Sequence, residues 1–251
     1  MRSVSIGLSD IGRRRKSNED AFFRDDELCL YVVADGMGGH AAGEVASSEA
    51  VDTIHGMVRR GNAAIQKLLT TPSDDSLRAV KRLLESSVQA ATYMVFALAE
   101  LEPEQAGMGT TISALLVAGN RGIIAQVGDS RVYLVREGRA RQLTEDHTLI
   151  AWQLREGLIT EEEAKSSPHR NVITRAVGNR DYVEVDTSVV ELAVGDKLML
   201  CSDGLHGYLD EAEIPGIADL GFEQAARRFI ALANERGGRD NITVVFVQIA
   251  D

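Results

Sequence analysis

The stretch Thr110–Leu143 reads TTISALLVAGNRGIIAQVGDSRVYLVREGRARQL, and its punctuation decides the fold class. Apolar and β-branched runs at 110–118, 122–127, 132–135 and 140–143 are separated by Gly119-Asn120, Gly128-Asp129 and Glu137-Gly138. Short runs with turn pairs at close spacing predict an antiparallel meander. Outward from it, 4–8, 28–34, 183–192, 197–202 and 242–249 read as further strands. Helical spacing appears in Val45, Ala46, Ala50, Ile54, Met57 and Val58, with Gly61 as a stop. It recurs in Leu77, Val80, Leu84, Val88, Ala91, Val95 and Leu98, where Asp75 or Ser76 is the expected cap and Leu101-Glu102-Pro103 the end. A last helix is expected on Phe222, Ala225, Ala226, Phe229, Ile230 and Ala233. Strands and helices come in groups rather than in alternation, so the expected class is α+β with antiparallel sheets, not a doubly wound parallel sheet. Residues 147–169 form a polar, partly helical insertion carrying Gly157 and Pro168. With no internal repeat and no low-complexity linker, residues 1–251 are expected to form a single domain.

Charge and composition narrow the partners. Lys+Arg 27 against Asp+Glu 38 gives a formal charge of -11, which disfavours nucleic acid and anionic membrane surfaces. No run of about 18 apolar residues could span a bilayer, and Met1–Ile6 do not open a signal peptide, so a cytoplasmic protein is expected. Cys29 and Cys201 lie in apolar runs and read as two buried core thiols in a reducing compartment.

Five aspartates stand at turns or at the ends of apolar runs: Asp20, Asp35, Asp129, Asp203 and Asp240. Each alone fits ordinary turn chemistry. Val32-Val33-Ala34 feeding Asp35 and Leu198-Met199-Leu200-Cys201 feeding Asp203 put carboxylates at the mouths of buried strands. Several such mouths on one edge would crowd like charge, which costs free energy unless cations neutralise it. Oxygen ligands without a His or Cys cluster suit Mg²⁺ or Mn²⁺ better than Zn²⁺. Gly36 gives the backbone freedom to turn a carbonyl toward an ion. Arg15, in Arg13-Arg14-Arg15-Lys16, offers a planar fork for phosphate oxygens, while the run as a whole equally reads as a solvated basic patch.

Read together, eight segments resemble the PPM family, the type 2C metal-dependent protein phosphatases. In order they are Arg15-Lys16-Ser17-Asn18-Glu19-Asp20, Asp35-Gly36-Met37-Gly38-Gly39-His40, Met108-Gly109-Thr110-Thr111, Gly128-Asp129-Ser130-Arg131, Leu143-Thr144-Glu145-Asp146-His147, Asn171-Val172-Ile173-Thr174-Arg175, Ser202-Asp203-Gly204 and Gly238-Arg239-Asp240-Asn241-Ile242-Thr243. The Asp-Gly-Met-Gly-Gly-His form is similar to the bacterial branch. The resemblance implies two antiparallel sheets packed as a central sandwich flanked by helices, in four αββα layers. It also implies hydrolysis of phosphoserine and phosphothreonine in proteins by a water activated between two tightly held Mn²⁺ or Mg²⁺ ions, with a weaker third ion. Asp35 resembles the carboxylate bridging both ions, and the Gly36 carbonyl a ligand of the first. Asp203 and Asp240 resemble ligands of the second, with Asp20 at or just outside that shell and Glu19 helping through water. Asp129, with Asp203, resembles the third site, and Arg15 the phosphate-binding arginine. Residues 147–170 fall where the family carries its flap. Met37 departs from eukaryotic members, which have a histidine there to protonate the leaving group, and His40 is the nearby candidate. Expected partners are phosphorylated Ser/Thr proteins, including a cognate kinase and its substrates, acting on a monomer. A non-catalytic phosphoprotein-binding module and a small-molecule phosphomonoesterase are the alternatives; retention of all five aspartates argues against the first, and substrate comparison separates the second.

Overall fold

The structure, a computed structural model, describes residues 1–38, 42–169 and 171–251. Its strands are β1 (Arg2–Asp10), β2 (Asp20–Asp25), β3 (Leu30–Met37), β4 (Gly109–Thr110), β5 (Ile112–Ala118), β6 (Arg121–Val127), β7 (Arg131–Arg136), β8 (Arg139–Gln142), β9 (Asp186–Glu191), β10 (Lys197–Cys201) and β11 (Ile242–Ala250). Its helices are α1 (Ala42–Arg60), α2 (Asn62–Thr70), α3 (Asp74–Leu101), α4 (Leu149–Arg155), α5 (Glu161–Ser166), α6 (Asp203–His206), α7 (Ile214–Ala218) and α8 (Phe222–Glu235). One antiparallel sheet runs β1-β11-β10-β7-β8, and the other β2-β3-β5-β6-β9 with β4 on β3.

The central strands lack polar alternation because both their faces are buried. Tyr31 and Val33 of β3 meet Leu198 and Leu200 of β10 and Val245 and Val247 of β11 between the sheets. The intervening Leu30, Val32 and Ala34 face α1 and α3, packing with Ala46, Ile54 and Val88. On the far side Met199, Cys201, Val244 and Phe246 pack against α8 through Phe229. Three apolar seams therefore separate four layers, helices outside and sheets inside, as the family resemblance implies.

The meander reading needs correction. β5 and β6 pair in one sheet while β7 and β8 pair in the other, so the chain changes sheets at Gly128-Asp129-Ser130. A turn dipeptide encodes reversal, not which strand the chain pairs with next, and runs buried on both faces carry no phase to reveal the switch. Gly128 is required at this step: its φ of +96° is in the left-handed region, and a Cβ would stand 2.6 Å from Thr111 Cγ2.

Smaller differences have local causes. Gly61 does end α1, through its N–H to the Met57 carbonyl, but α2 restarts at once. α3 is capped by Ser73 rather than Asp75 or Ser76; the Ser76 N–H donates to Ser73 Oγ and Ser76 Oγ accepts from the Ser73 N–H. β2 escaped notice because its Phe22-Phe23 pair sits between charged residues on a half-buried edge. Both thiols are free, and Cys201 is buried, but Cys29 is a half-buried turn residue at φ +55° rather than a strand residue. Phe246 is fully buried with its ring 6.1 Å from that of Phe222 and 6.2 Å from that of Phe229. Phe246→Ala is expected to cost about 3–5 kcal/mol, read as a lowered midpoint in urea unfolding.

Candidate metal centre and active site

Asp20 opens β2 and Asp35 lies near the end of β3, and the antiparallel register sets them directly opposite each other. In the other sheet, β10 delivers Asp203 at the start of α6, and its neighbour β11 begins just after Asp240. Asp129 arrives on the crossing between sheets. The electrostatics report their closeness. Burial, then the charges of Asp20, Asp203, Asp129 and Asp240, push the Asp35 carboxyl well above the usual carboxylate range. Burial takes Asp20 to about 7, with Asp203 and Asp240 adding to it and hydroxyls of Thr243 and Ser202 opposing. Asp129 reaches about 7 through burial and the charge of Asp203. Asp203 is raised by burial and Asp240, while its hydrogen bond with Asp35 pulls the other way. The other four expected aspartates thus lie within electrostatic reach of Asp35.

The quoted motifs turn out to be the fastenings. Thr111 Oγ1 accepts from the Asp35 N–H (3.0 Å), the Thr111 N–H and Thr110 Oγ1 both donate to the Asp35 carbonyl (2.9 Å each), and Thr111 Oγ1 meets Ser130 Oγ at 2.7 Å. Ser202 Oγ donates to Asp20 Oδ2 (2.8 Å) and accepts from the Thr243 N–H (3.0 Å), joining the two sheets. Asn241 binds the loop before β2: its Oδ1 accepts from the Glu19 N–H, and its Nδ2 donates to the carbonyls of Ile11 and Ser17. The Gly36 N–H donates to the Glu19 carbonyl (3.1 Å), and a Cβ on Gly36 would stand 2.1 Å from the Gly43 carbonyl oxygen. Only glycine lets β3 and α1 approach this closely.

The donor set fits hard cations. Asp20 Oδ1 is buried with no hydrogen-bond partner among the described residues, an oxygen that calls for a proton or a cation. Among the described residues no three acidic, His or Cys side chains are grouped closely enough to hold a metal ion; the chemistry of the set, oxygen only, is the kind that Mg²⁺ or Mn²⁺ takes. Arg15 lies at the same mouth, its Nη2 donating to Asp240 Oδ2 (2.7 Å) with Glu19 4.0 Å from Nη1. The Glu19 side chain is largely buried beside it, and burial raises its pKa while Arg15 opposes. His40 lies outside the described residues.

Two other histidines hold the Asp129 turn. His147 Nδ1 accepts from the Gly128 N–H (3.1 Å), so Nε2 carries the proton and donates to Asp186 (3.1 Å). His206 Nε2 donates to the Asp129 carbonyl (2.9 Å), tying α6 to the crossing. Burial lowers both pKa values, His206 to about 4. His147 thus ties the Asp129 turn to Asp186. His206 was missed, because a histidine two residues after Asp-Gly carries no signal until the sheets are assembled.

Comparison with known proteins agrees with this geometry. The family model for protein phosphatase 2C matches residues 9–244. The chain belongs to the protein phosphatase 2C family. It is 41% identical over 245 residues to the serine/threonine phosphatase stp of Listeria innocua, covering 96% of this chain and 93% of that one. It is 39% identical to the serine/threonine protein phosphatase PstP of Mycobacterium tuberculosis over 97% of this chain but 44% of that longer one. The crystal structure of M. tuberculosis PstP/Ppp superposes with a TM-score of 0.88 at 36% identity, covering 100% of both chains. Another solved structure, the PstP catalytic domain in complex with two manganese ions, gives 0.83 at 35%, covering 100% and 99%. The chain is accordingly a serine/threonine protein phosphatase.

Beside the phosphatase's aspartates lies a cleft of about 650 Å³, walled by Asp129, Asp203 and Asp240 on one side and by Ile150, Ala151 and Leu154 of the α4 region on another. Residues 149–172 leave and return through a closed base: the Leu149 N–H donates to the Val172 carbonyl and the Thr174 N–H to the His147 carbonyl. The raised carboxyl pKa values fix a stability trend for chelated protein. Folded carboxyls hold protons that unfolded ones, near 3.9, release, so their contribution to stability is full below about pH 4 and declines as pH rises toward about 7. Thermal melts in chelator should show this decline, and Asp35→Asn should flatten it.

Proposed function

We propose that the phosphatase hydrolyses phosphoserine and phosphothreonine in proteins at this carboxylate cluster, with two tight divalent ions, Mn²⁺ or Mg²⁺, on Asp35, the Gly36 carbonyl, Asp203 and Asp240. A third, weaker ion belongs at Asp129 with Asp203, and Asp20 orders the shell of the second. The observation that carries the reading is that Asp20, Asp35, Asp129 and Asp203 are each raised by burial and then by a neighbouring aspartate, with the Arg15 guanidinium beside them. The ions, when bound, supply Lewis acidity that makes a water acidic enough to attack phosphorus at neutral pH and offsets charge on the phosphoryl oxygens.

The chain's own groups do the rest. Asp35 is opposite Asp20 in the β2–β3 register and hydrogen-bonded to Asp203, which supports its reading as the ligand shared by both ions. Ser202 and Thr243 hold Asp20 by hydroxyl groups, which fixes its orientation without neutralising it. Arg15 is paired with Asp240 and half exposed; turned outward, its fork binds two phosphoryl oxygens and steadies the charge on the transferring group. No cysteine nucleophile serves here, since burial pushes the Cys201 thiol up to about 12. His40 remains the proposed donor of a proton to the leaving group. Residues 147–170 act as the flap, with Gly157 (φ +68°) as its hinge, governing access of protein substrates to the cleft. The chain acts as a cytoplasmic monomer on phosphoproteins that include a cognate kinase and that kinase's substrates, in signalling.

The test is phosphate release from a phosphothreonine protein with chelator, Mg²⁺ or Mn²⁺. Turnover should need the metal, and Asp203→Asn should lose nearly all of it while keeping its fold by circular dichroism. Wild-type turnover in that variant would contradict the site. Arg15→Ala should lower kcat/KM about 10- to 150-fold, the value of one charge-assisted pair, with Mn²⁺ affinity nearly unchanged. Calorimetric counting should find the Asp129→Ala variant short of the weakest ion only, with turnover largely lost.

A further inference from the structure

The run Arg13-Arg14-Arg15-Lys16 contains three cations that the reaction does not use. All four residues are exposed, on the loop between β1 and β2. The Arg13 N–H donates to the Gly238 carbonyl (2.6 Å), which seats this loop against the segment carrying Arg239. Arg239 is exposed and lines the cleft together with Asp203 and Asp240. Elsewhere in the cleft positive charge is already matched: Arg131 forks onto Asp146 and Arg236 onto Glu213. Arg15 has Asp240 and Glu19. Arg13, Arg14, Lys16 and Arg239 have no carboxylate within ion-pair distance among the described residues. Arg239 on the cleft wall and Arg13, seated on its neighbour Gly238, therefore put uncompensated positive charge beside the cleft, with Arg14 and Lys16 following on the same loop, on a chain whose net charge is -11.

We propose that this edge binds Asp and Glu side chains flanking the phosphoresidue, so that the phosphatase selects phosphoproteins with acidic sequence beside the phosphate. The proposal rests on the phosphatase reading of the cleft and adds its substrate class. Two features favour an acidic peptide over an extended polyanion. Arg239 lines the cleft and Arg13 is seated against its neighbour Gly238, so a peptide with its phosphate beside Arg15 would meet both. The acidic body around it repels a duplex or an anionic bilayer, which would have to approach over a much larger area. Exposed pairs are individually weak, so the effect is the sum of several and is screened by salt.

The test compares two phosphothreonine peptides that differ only in having Asp and Glu or Asn and Gln around the phosphothreonine, with p-nitrophenyl phosphate as the small substrate. The acidic peptide should show kcat/KM higher by about 3- to 30-fold, carried by KM. That ratio should shrink in 0.5 M NaCl, where screening acts over about 4–5 Å. Arg13→Gln/Arg14→Gln/Arg239→Gln should bring the ratio close to one and leave the aryl phosphate rate unchanged. A wild-type ratio near one, with both peptides and the aryl phosphate hydrolysed, overturns the proposal and leaves the phosphatase reading standing. Failure to hydrolyse any of the three overturns that reading and the proposal with it. Loss of duplex DNA or phosphatidylserine vesicle binding in the triple variant, with the peptide ratio intact, overturns the proposal in favour of a polyanion.

Discussion

Carboxyl groups of like charge, held where two sheets end together, are the constraint around which this molecule is organised. Like charges in a buried site repel strongly, and the charges of Asp20, Asp203, Asp129 and Asp240 all act on Asp35. A fold of marginal stability holds this arrangement only with strong local fastening and with something to neutralise the charge. Both are visible. Thr111 fixes the backbone of Asp35, Ser202 joins Asp20 to β11, and Asn241 ties the loop before β2 to the last strand. Arg15 sets a positive charge on Asp240 at 2.7 Å.

The apolar seams explain why the cluster can be rigid. β3, β10 and β11 are packed on both faces, so the ends that carry Asp35, Asp203 and Asp240 are anchored by buried strands. The crossing at Gly128 adds Asp129 from the rim of the same seam, held by His147 on one side and His206 on the other. Beside it the chain enters and leaves α4 and α5 through paired backbone hydrogen bonds, Leu149 to Val172 and Thr174 to His147.

Much of this was legible in the sequence, for physical reasons. Residues placed by short-range rules, such as the strand-end Asp35 and Asp203 or the stripe on α3, announce themselves by spacing and by the run that precedes them. Residues placed by assembly do not. The crossing after Val127 looked like a hairpin because the turn chemistry is the same either way. His206 gave no sign, since its partner Asp129 is distant in the chain and in the other part of the fold. Ser202, Thr243 and Asn241 stood inside quoted motifs without a role, because their role is to join strands whose adjacency the sequence does not state. The basic run at Arg13 divided similarly: Arg15 belongs to the site, and its neighbours to the surface beside it.

Divalent ions bound here are expected to displace the protons that burial keeps on these carboxyls. Calorimetric titration of chelator-stripped protein with Mn²⁺, repeated at pH 6.5 in buffers of different ionisation enthalpy, measures the displaced protons directly. The account predicts release of about one proton or more per chain at pH 6.5, fading by about pH 9 and reduced in Asp35→Asn. Tight Mn²⁺ binding with no proton release at pH 6.5 would contradict it.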